Sequence, residues 1–232
     1  MVYLFVFIRE VYMDKQITDL INNVDMPIAI VLGGLPGSGK STIASYLENN
    51  GFFIISKDAI RYELAKQKYG DKSESELDEH LHEFKKCIQP IIAIIVDLYF
   101  THNLNNALNA ITTLKNKNVH QYVEPYIHTV YSEIVNHNYC GIVFDATHFN
   151  KQQRRLTIQK MNNRLPIYCI YLHTSVDQAY AGVKKRVATK VVYNGIETDG
   201  RNVPKQVIEE MKKFESLPKI EEGFQDVLII KR

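Results

Sequence analysis

The sequence predicts a three-layer α/β fold, with helices on both faces of a five-stranded, mostly parallel sheet and a helical insertion. Three observations carry this. Five short runs are almost continuously apolar, as strands covered on both faces are: "PIAIVLGG" (27–34), "GFFIIS" (51–56), "CGIVFD" (140–145), "LPIYCIYLH" (165–173) and "DVLIIK" (226–231). Helical patterns separate most of them, and strand-helix alternation of this kind argues a parallel sheet. A glycine-crowded segment, "GGLPGSGKS", joins the first apolar run to the first helical pattern.

Taken in order, "MVYLFVFIREVYM" is apolar but lacks a basic leading segment and a small-residue cleavage site, which argues against a signal peptide. Residues 1–27 read as an N-terminal extension and 28–232 as one domain. A helix follows the glycine segment to about Glu48. The stretch 62–139 holds no convincing strand but several helical patterns, including "ESELDEHLHEFKKCIQ", "NLNNALNAITTL" and "YVEPYIHTVYSEIVNH", and is expected to be a helical insertion packed on the α/β core. Its apolar run "IQPIIAIIVDLYF" carries a proline and an aspartate, fitting a buried helix and not a membrane span of about 20 apolar residues. Further helices are expected after Asn150 and after Thr174. In "NVPKQVIEEMKKFESLP", Asn202 is the expected N-cap, Val207, Met211 and Phe214 share a face, and Pro218 ends the helix.

The bulk numbers set limits. The 232 residues are 45% apolar and 23% charged, ordinary for a globular chain. Cys87, Cys140 and Cys169 match no metal-ligand spacing and no disulfide framework, so the expected compartment is reducing and cytoplasmic. Residues 1–150 hold 12 Lys/Arg against 17 Asp/Glu, whereas 151–232 hold 16 against 9. The C-terminal third is therefore a candidate surface for a polyanion.

Gly34-Leu35-Pro36-Gly37-Ser38-Gly39-Lys40-Ser41 fits G-x-x-x-x-G-K-[ST], the phosphate-binding P-loop. Glycines let the backbone curl so that successive N–H groups converge on one anion, and the positive end of the following helix reinforces them. Lys40 is expected to reach the β- and γ-phosphates of ATP, Ser41 to hold Mg²⁺, and Thr42 to close the nucleotide site. In "IISKDAIRYEL", Asp58 and Arg61 are three apart at a helix start beyond the second strand. A carboxylate there can take the proton of an attacking hydroxyl, and a guanidinium can hold a phosphate on the acceptor. In "GIVFDATHFNKQQRR" a strand ends at Asp145, a candidate to orient Mg²⁺ or the acceptor-binding arginine, followed by Thr147 and the pair Arg154/Arg155; Asp145, Thr147 and Arg154 are the candidate substrate contacts. In "VKKRVATKVVYNGIETDGRNVP", Arg186, Lys190 and Arg201 flank a glycine-containing loop expected to close as a lid over the phosphates.

Together "GLPGSGKST", "SKDAIR", "IVFDATHFNKQQRR", "KKRVATK…GRNVPKQVIEEMKKFE" and "EEGFQDVLII" resemble the kinase domain of phage-type polynucleotide 5′-hydroxyl kinases and related P-loop kinases. The resemblance spans roughly 28–61 and 140–230 by eye. It implies ATP-dependent phosphoryl transfer to the 5′-OH of a nucleic acid, with Asp58 as general base, Arg61 on the acceptor phosphate, Lys40 and Ser41 serving ATP and Mg²⁺, and a lid arginine on the donor phosphates. Arg186 is the first choice for that lid role, while the position nearest the transferred group stays open between Lys190 and Arg201. A small-molecule or aminoacyl-tRNA kinase, or a nucleotide-dependent switch without turnover, are the alternatives. No phosphatase or ligase signature accompanies the kinase motifs.

Overall fold

The computed structural model describes residues 15–70, 72, 74–186, 190–193, 196–199 and 203–232. The chain runs through a helix over 15–22 (α1), β1 (Ile28–Gly34), α2 (Lys40–Asn49), β2 (Phe52–Ser56) and α3 (Lys57–Tyr69). The short α4 (Glu74–Leu77) continues into a 3-10 helix over Asp78–Phe84, followed by α5 (Ile88–Thr101), α6 (Leu104–Thr112) and α7 (His120–Asn136). Then come β3 (Gly141–Asp145), α8 (Lys151–Met161), β4 (Ile167–His173), α9 (Val176–Arg186), β5 (Lys190–Tyr193), β6 (Ile196–Asp199), α10 (Lys205–Lys213) and β7 (Asp226–Lys231).

The five expected strands form one parallel sheet in the order β2-β3-β1-β4-β7. β1 lies at its centre and is buried along its whole length, which is why its sequence does not alternate. Its residues still divide between two faces. Ala29 and Val31 join one core with Ile142, Phe144, Cys169 and Tyr171, while Ile28, Ile30 and Leu32 join another with Val143, Ile170 and Leu172.

The first of these cores is continuous with the helical insertion. Ile88, Ile91, Ile95, Val123, Ile127 and Val130 belong to it, and Phe53 of β2 meets the rings of Tyr99 (6.1 Å) and Tyr139 (5.2 Å). β2 is an edge strand and yet buried throughout, because the insertion covers it. On the opposite face α2 contributes Ile43, Ala44 and Leu47, joined by Ile17 and Ile21 of α1, which are 0% and 9% exposed. The described part of the expected extension is therefore a wall of the core. None of the described helices is long and apolar enough to cross a membrane.

Two local expectations change. The stretch expected as a lid loop contains an antiparallel hairpin, with β5 and β6 paired from Lys190↔Asp199 to Tyr193↔Ile196. Its sequence signal is Asn194-Gly195, a dipeptide that favours two-residue hairpin turns. In α10, Asn202 lies outside the described residues and the helix starts after Pro204. Ile208 is its buried residue, Met211 packs half-buried on the cluster of Leu35, Ala179 and Val183, and Phe214 is exposed, so the Val207/Met211/Phe214 face is only partly covered.

Candidate active site

The turn between β1 and α2 is set by its glycines. Gly37 has φ +78°, and a Cβ there would lie 2.0 Å from the Ala179 carbonyl oxygen of α9. A Cβ on Gly182 of α9 would lie 2.0 Å from the Gly37 oxygen, so helix and loop meet backbone to backbone. Leu35 anchors the same turn from below, buried with Ala179, Val183 and Ile208 in a small third core. At the loop's exit Gly39 has φ +99° and caps α2, whose first residue is Lys40. The Lys40 ammonium donates to the carbonyls of Gly34 (2.9 Å) and Leu35 (2.7 Å) and to the Ser38 hydroxyl (3.3 Å), and the side chain is buried.

The loop opens on a cavity of about 390 Å³. Pro36, Lys40 and Ser41 form one side of it, Lys57, Asp58 and Arg61 of α3 another, and Asp145, Ala146, Thr147 and Gln153 a third. Val183, Val203, Pro204, Val207 and Met211 make an apolar wall. Strand register explains the convergence: β3 ends at Asp145, level with Leu32 of β1 and Ser56 of β2, at the carboxyl edge where such sheets hold ligands. Ser56 caps α3 by accepting from the Ala59 N–H (3.4 Å), which turns the first residues of α3 over that edge. The cavity lining carries three cations (Lys40, Lys57, Arg61) against two carboxylates (Asp58, Asp145), so it favours an anion.

Within it Arg61 donates to the exposed carboxylate of Asp58 at 2.8 Å, while its buried Nε has no acceptor. Burial, then the charges of Lys160 and Arg61, push the Lys57 ammonium down to about 8, with Asp58 opposing the shift. Beneath the cavity floor His148 is fully buried, and that burial first, then Lys57, lowers it to about 3. It is therefore a neutral ring, its Nδ1–H donating to the Leu32 carbonyl (2.7 Å) and its Nε2 accepting from the Thr157 hydroxyl (2.9 Å). The Thr147 carbonyl in turn accepts from the Gly34 N–H (2.8 Å), which ties the loop after β3 to the start of the phosphate loop.

A family model for the AAA domain matches residues 30–218, from β1 through the last helix. The chain belongs to the AAA domain family. Among solved structures it is similar to a protein of Chloroflexus aurantiacus (13% identity, 89% of each chain covered, TM-score 0.46). It is also similar to a sugar kinase of Janibacter sp. (11%, 88% of this chain and 84% of that one, 0.43) and a gluconokinase of Sinorhizobium meliloti (13%, 90% and 84%, 0.41). No curated protein matches it. The fold is a three-layer α/β arrangement on a five-stranded parallel sheet, with the phosphate loop between β1 and α2.

Set against this family's fold, the expected site residues separate into three groups. Pro36, Lys40, Ser41, Asp58, Arg61, Asp145 and Thr147 line one cavity. Gly34, Gly37, Ser38 and Gly39 shape the loop, whereas Thr42 is exposed and outside the cavity lining. The side chains of Arg186 and Lys190, and Arg201 altogether, lie outside the described residues. Arg154 is a correction: it is 0% exposed and faces away from the cavity. Its guanidinium donates to both carboxylate oxygens of Glu222 (2.7 and 2.8 Å) and to the carbonyls of Ser216 (2.8 Å) and His148 (3.1 Å), bolting α8 to the segment before β7. Arg155 is exposed, and neither arginine lines the cavity; the preceding residue, Gln153, does.

Three further residues belong to the site without a motif to mark them. Lys57 and Gln153 line the cavity. Arg232, just beyond β7, donates to the Ser38 carbonyl (3.0 Å), and its guanidinium fills the space beside Gly39, 2.2 Å from where a Cβ would stand. Both links are long-range, so no local sequence signal reveals them.

Proposed function

We propose that the protein transfers the γ-phosphoryl group of ATP to a hydroxyl, with the 5′-OH of a nucleic acid as the preferred acceptor. The observation that carries this is a single cavity joining the phosphate loop to the Asp58–Arg61 pair. The hard-oxygen set of Ser41 and Asp145 beside Lys40 fits Mg²⁺, which is held by one or two protein oxygens together with phosphates and water. When bound, that ion neutralises charge on the phosphate oxygens.

The chain's own residues do the rest. Loop N–H groups and Lys40 hold the triphosphate, Lys40 exchanging its carbonyl partners for phosphate oxygens. Asp58 orients the acceptor hydroxyl and takes its proton. The hydroxyl oxygen bonds to the γ-phosphorus as the bond to the bridging oxygen breaks, and ADP leaves. Arg61 holds a phosphate neighbouring the attacked hydroxyl. The apolar wall from α9 and α10 keeps water from competing with the acceptor.

The test is a screen with γ-labelled ATP against 5′-OH DNA, 5′-OH RNA, nucleosides, and small sugars and polyols. Label on the 5′-OH oligonucleotides, reduced about 10²–10⁴-fold in kcat by Asp58→Asn with ATP still bound, is the expected result. Label on a small polyol alone would replace the nucleic-acid acceptor, and slow hydrolysis without any transfer would make the chain a nucleotide-dependent switch.

A further inference from the structure

Lys57 is the first residue of α3, a 13-residue helix whose N-terminus opens on the cavity. A cation there works against the helix dipole, and this one is half-buried. No acceptor among the described residues bonds its ammonium. Around it stand the cations Lys160 and Arg61, the neutral ring of His148 and one carboxylate, Asp58. Lys160 turns its own ammonium onto the Leu156 carbonyl (2.9 Å), and Asp58 is engaged by Arg61 (2.8 Å). Next to Lys57, the buried Nε–H of Arg61 also has no acceptor. Two donors on one turn of helix thus stand at the cavity without a partner, an arrangement that an arriving anion would stabilise.

We propose that Lys57 is a second anion-binding residue of the acceptor site, holding with Arg61 a phosphate that the acceptor carries beside its reactive hydroxyl. The chemistry suits a phosphodiester or phosphomonoester: the planar guanidinium takes two oxygens, and the ammonium, a point charge, takes a third. The positive end of α3 adds to both. The acceptor class follows. It is a hydroxyl with a phosphate a few bonds away, as at the end of a nucleic-acid chain or in a nucleoside 3′-phosphate, and not a neutral polyol. This rests on the kinase reading of the cavity, but the two can fail separately.

The experiment blocks the phosphate loop with a non-hydrolysable ATP analogue and measures, by calorimetry, the Kd of a nucleoside 3′-phosphate and of its parent nucleoside. The intact protein is expected to favour the 3′-phosphate by about 10–100-fold, the range of hydrogen bonds to a charged group. Lys57→Met should cut that preference by about tenfold, and Lys57→Arg should retain most of it. If Lys57→Met does not fold, Lys57→Gln is read the same way. An unchanged preference in these variants, or none in the unmodified protein, overturns the proposal. Transfer from ATP is assayed alongside: a Lys57-dependent preference without any transfer sinks the kinase reading and leaves the anion site standing.

Discussion

The Lys40 ammonium is held by the carbonyls of Gly34 and Leu35, so the residue expected to hold the triphosphate also braces the loop. An exposed lysine could be removed without structural effect; this one is 5% exposed. Lys40→Ala is therefore expected to lower transfer by about 10²–10³-fold or more and to cost about 1–2 kcal/mol, since two buried carbonyls lose their donor. Steady-state kinetics and denaturant titration check the two parts, and full activity would remove the loop from the mechanism. His148 contributes to the response to acid. Its pKa is about 3 when folded against 6.5 in a free chain, so the unfolded chain binds the proton first. The stability it contributes is complete above pH 6.5 and is lost as pH falls toward 3, at about 1 kcal/mol per pH unit. Denaturation at pH 7, 6 and 5 should show a shallower decline for His148→Asn than for the unmodified protein. Equal slopes would mean that the ring titrates freely in the fold.

At the scale of elements, α9 meets the phosphate loop backbone to backbone at Gly37 and Gly182, beside the packing of Leu35 on Ala179 and Val183. Gly182→Ala places a methyl within 2.0 Å of the Gly37 oxygen, so either the helix or the loop must move. Overpacking of this kind costs about 1–3 kcal/mol, and the ATP KM is expected to rise by about tenfold or more because the displaced partner is the phosphate loop. A variant that loses stability but binds ATP normally would assign the contact to packing only. Legibility follows the same division. The five strands of the parallel sheet could be read because each is a dense apolar run, and the phosphate loop because its spacing is demanded by one anion. The phase of α8 could not be read. Gln153 and Arg154 differ by one position, about 100° around a helix, and what turns Arg154 inward is Glu222, 68 residues away. Lys57 was equally opaque, since a lysine beside an expected catalytic aspartate looks like any solvated charge until the cavity around it is known.

For the whole molecule, the question is which segments complete the core. The insertion does, because α5 and α7 share one apolar cluster with the sheet and shield the edge strand β2. α1 does so on the opposite face. "ITDLINNV" places Ile17, Leu20, Ile21 and Val24 at helical spacing, but the surface they cover, Ile28, Ile30, Leu47 and Val143, is assembled only when the sheet forms. Two deletions test the contribution of α1. A chain starting at Met13 keeps all of α1 and every residue of the cavity, so it is expected to fold and to bind ATP as the full chain does. A chain starting at Pro27 removes Ile17 and Ile21 from the core and uncovers the sheet face beneath them. Loss of each buried isoleucine is worth about 2–5 kcal/mol, comparable in sum to the whole stability of a typical domain, about 5–15 kcal/mol. The shorter chain should therefore melt far lower or fail to remain soluble. The single substitutions Ile17→Ala and Ile21→Ala should fall between, with ATP affinity preserved in whatever fraction stays folded. Thermal melts of these four variants and the full-length protein decide it: if the chain from Pro27 melts with the full-length protein, α1 is not a wall of the core, and the sheet face needs no cover from it.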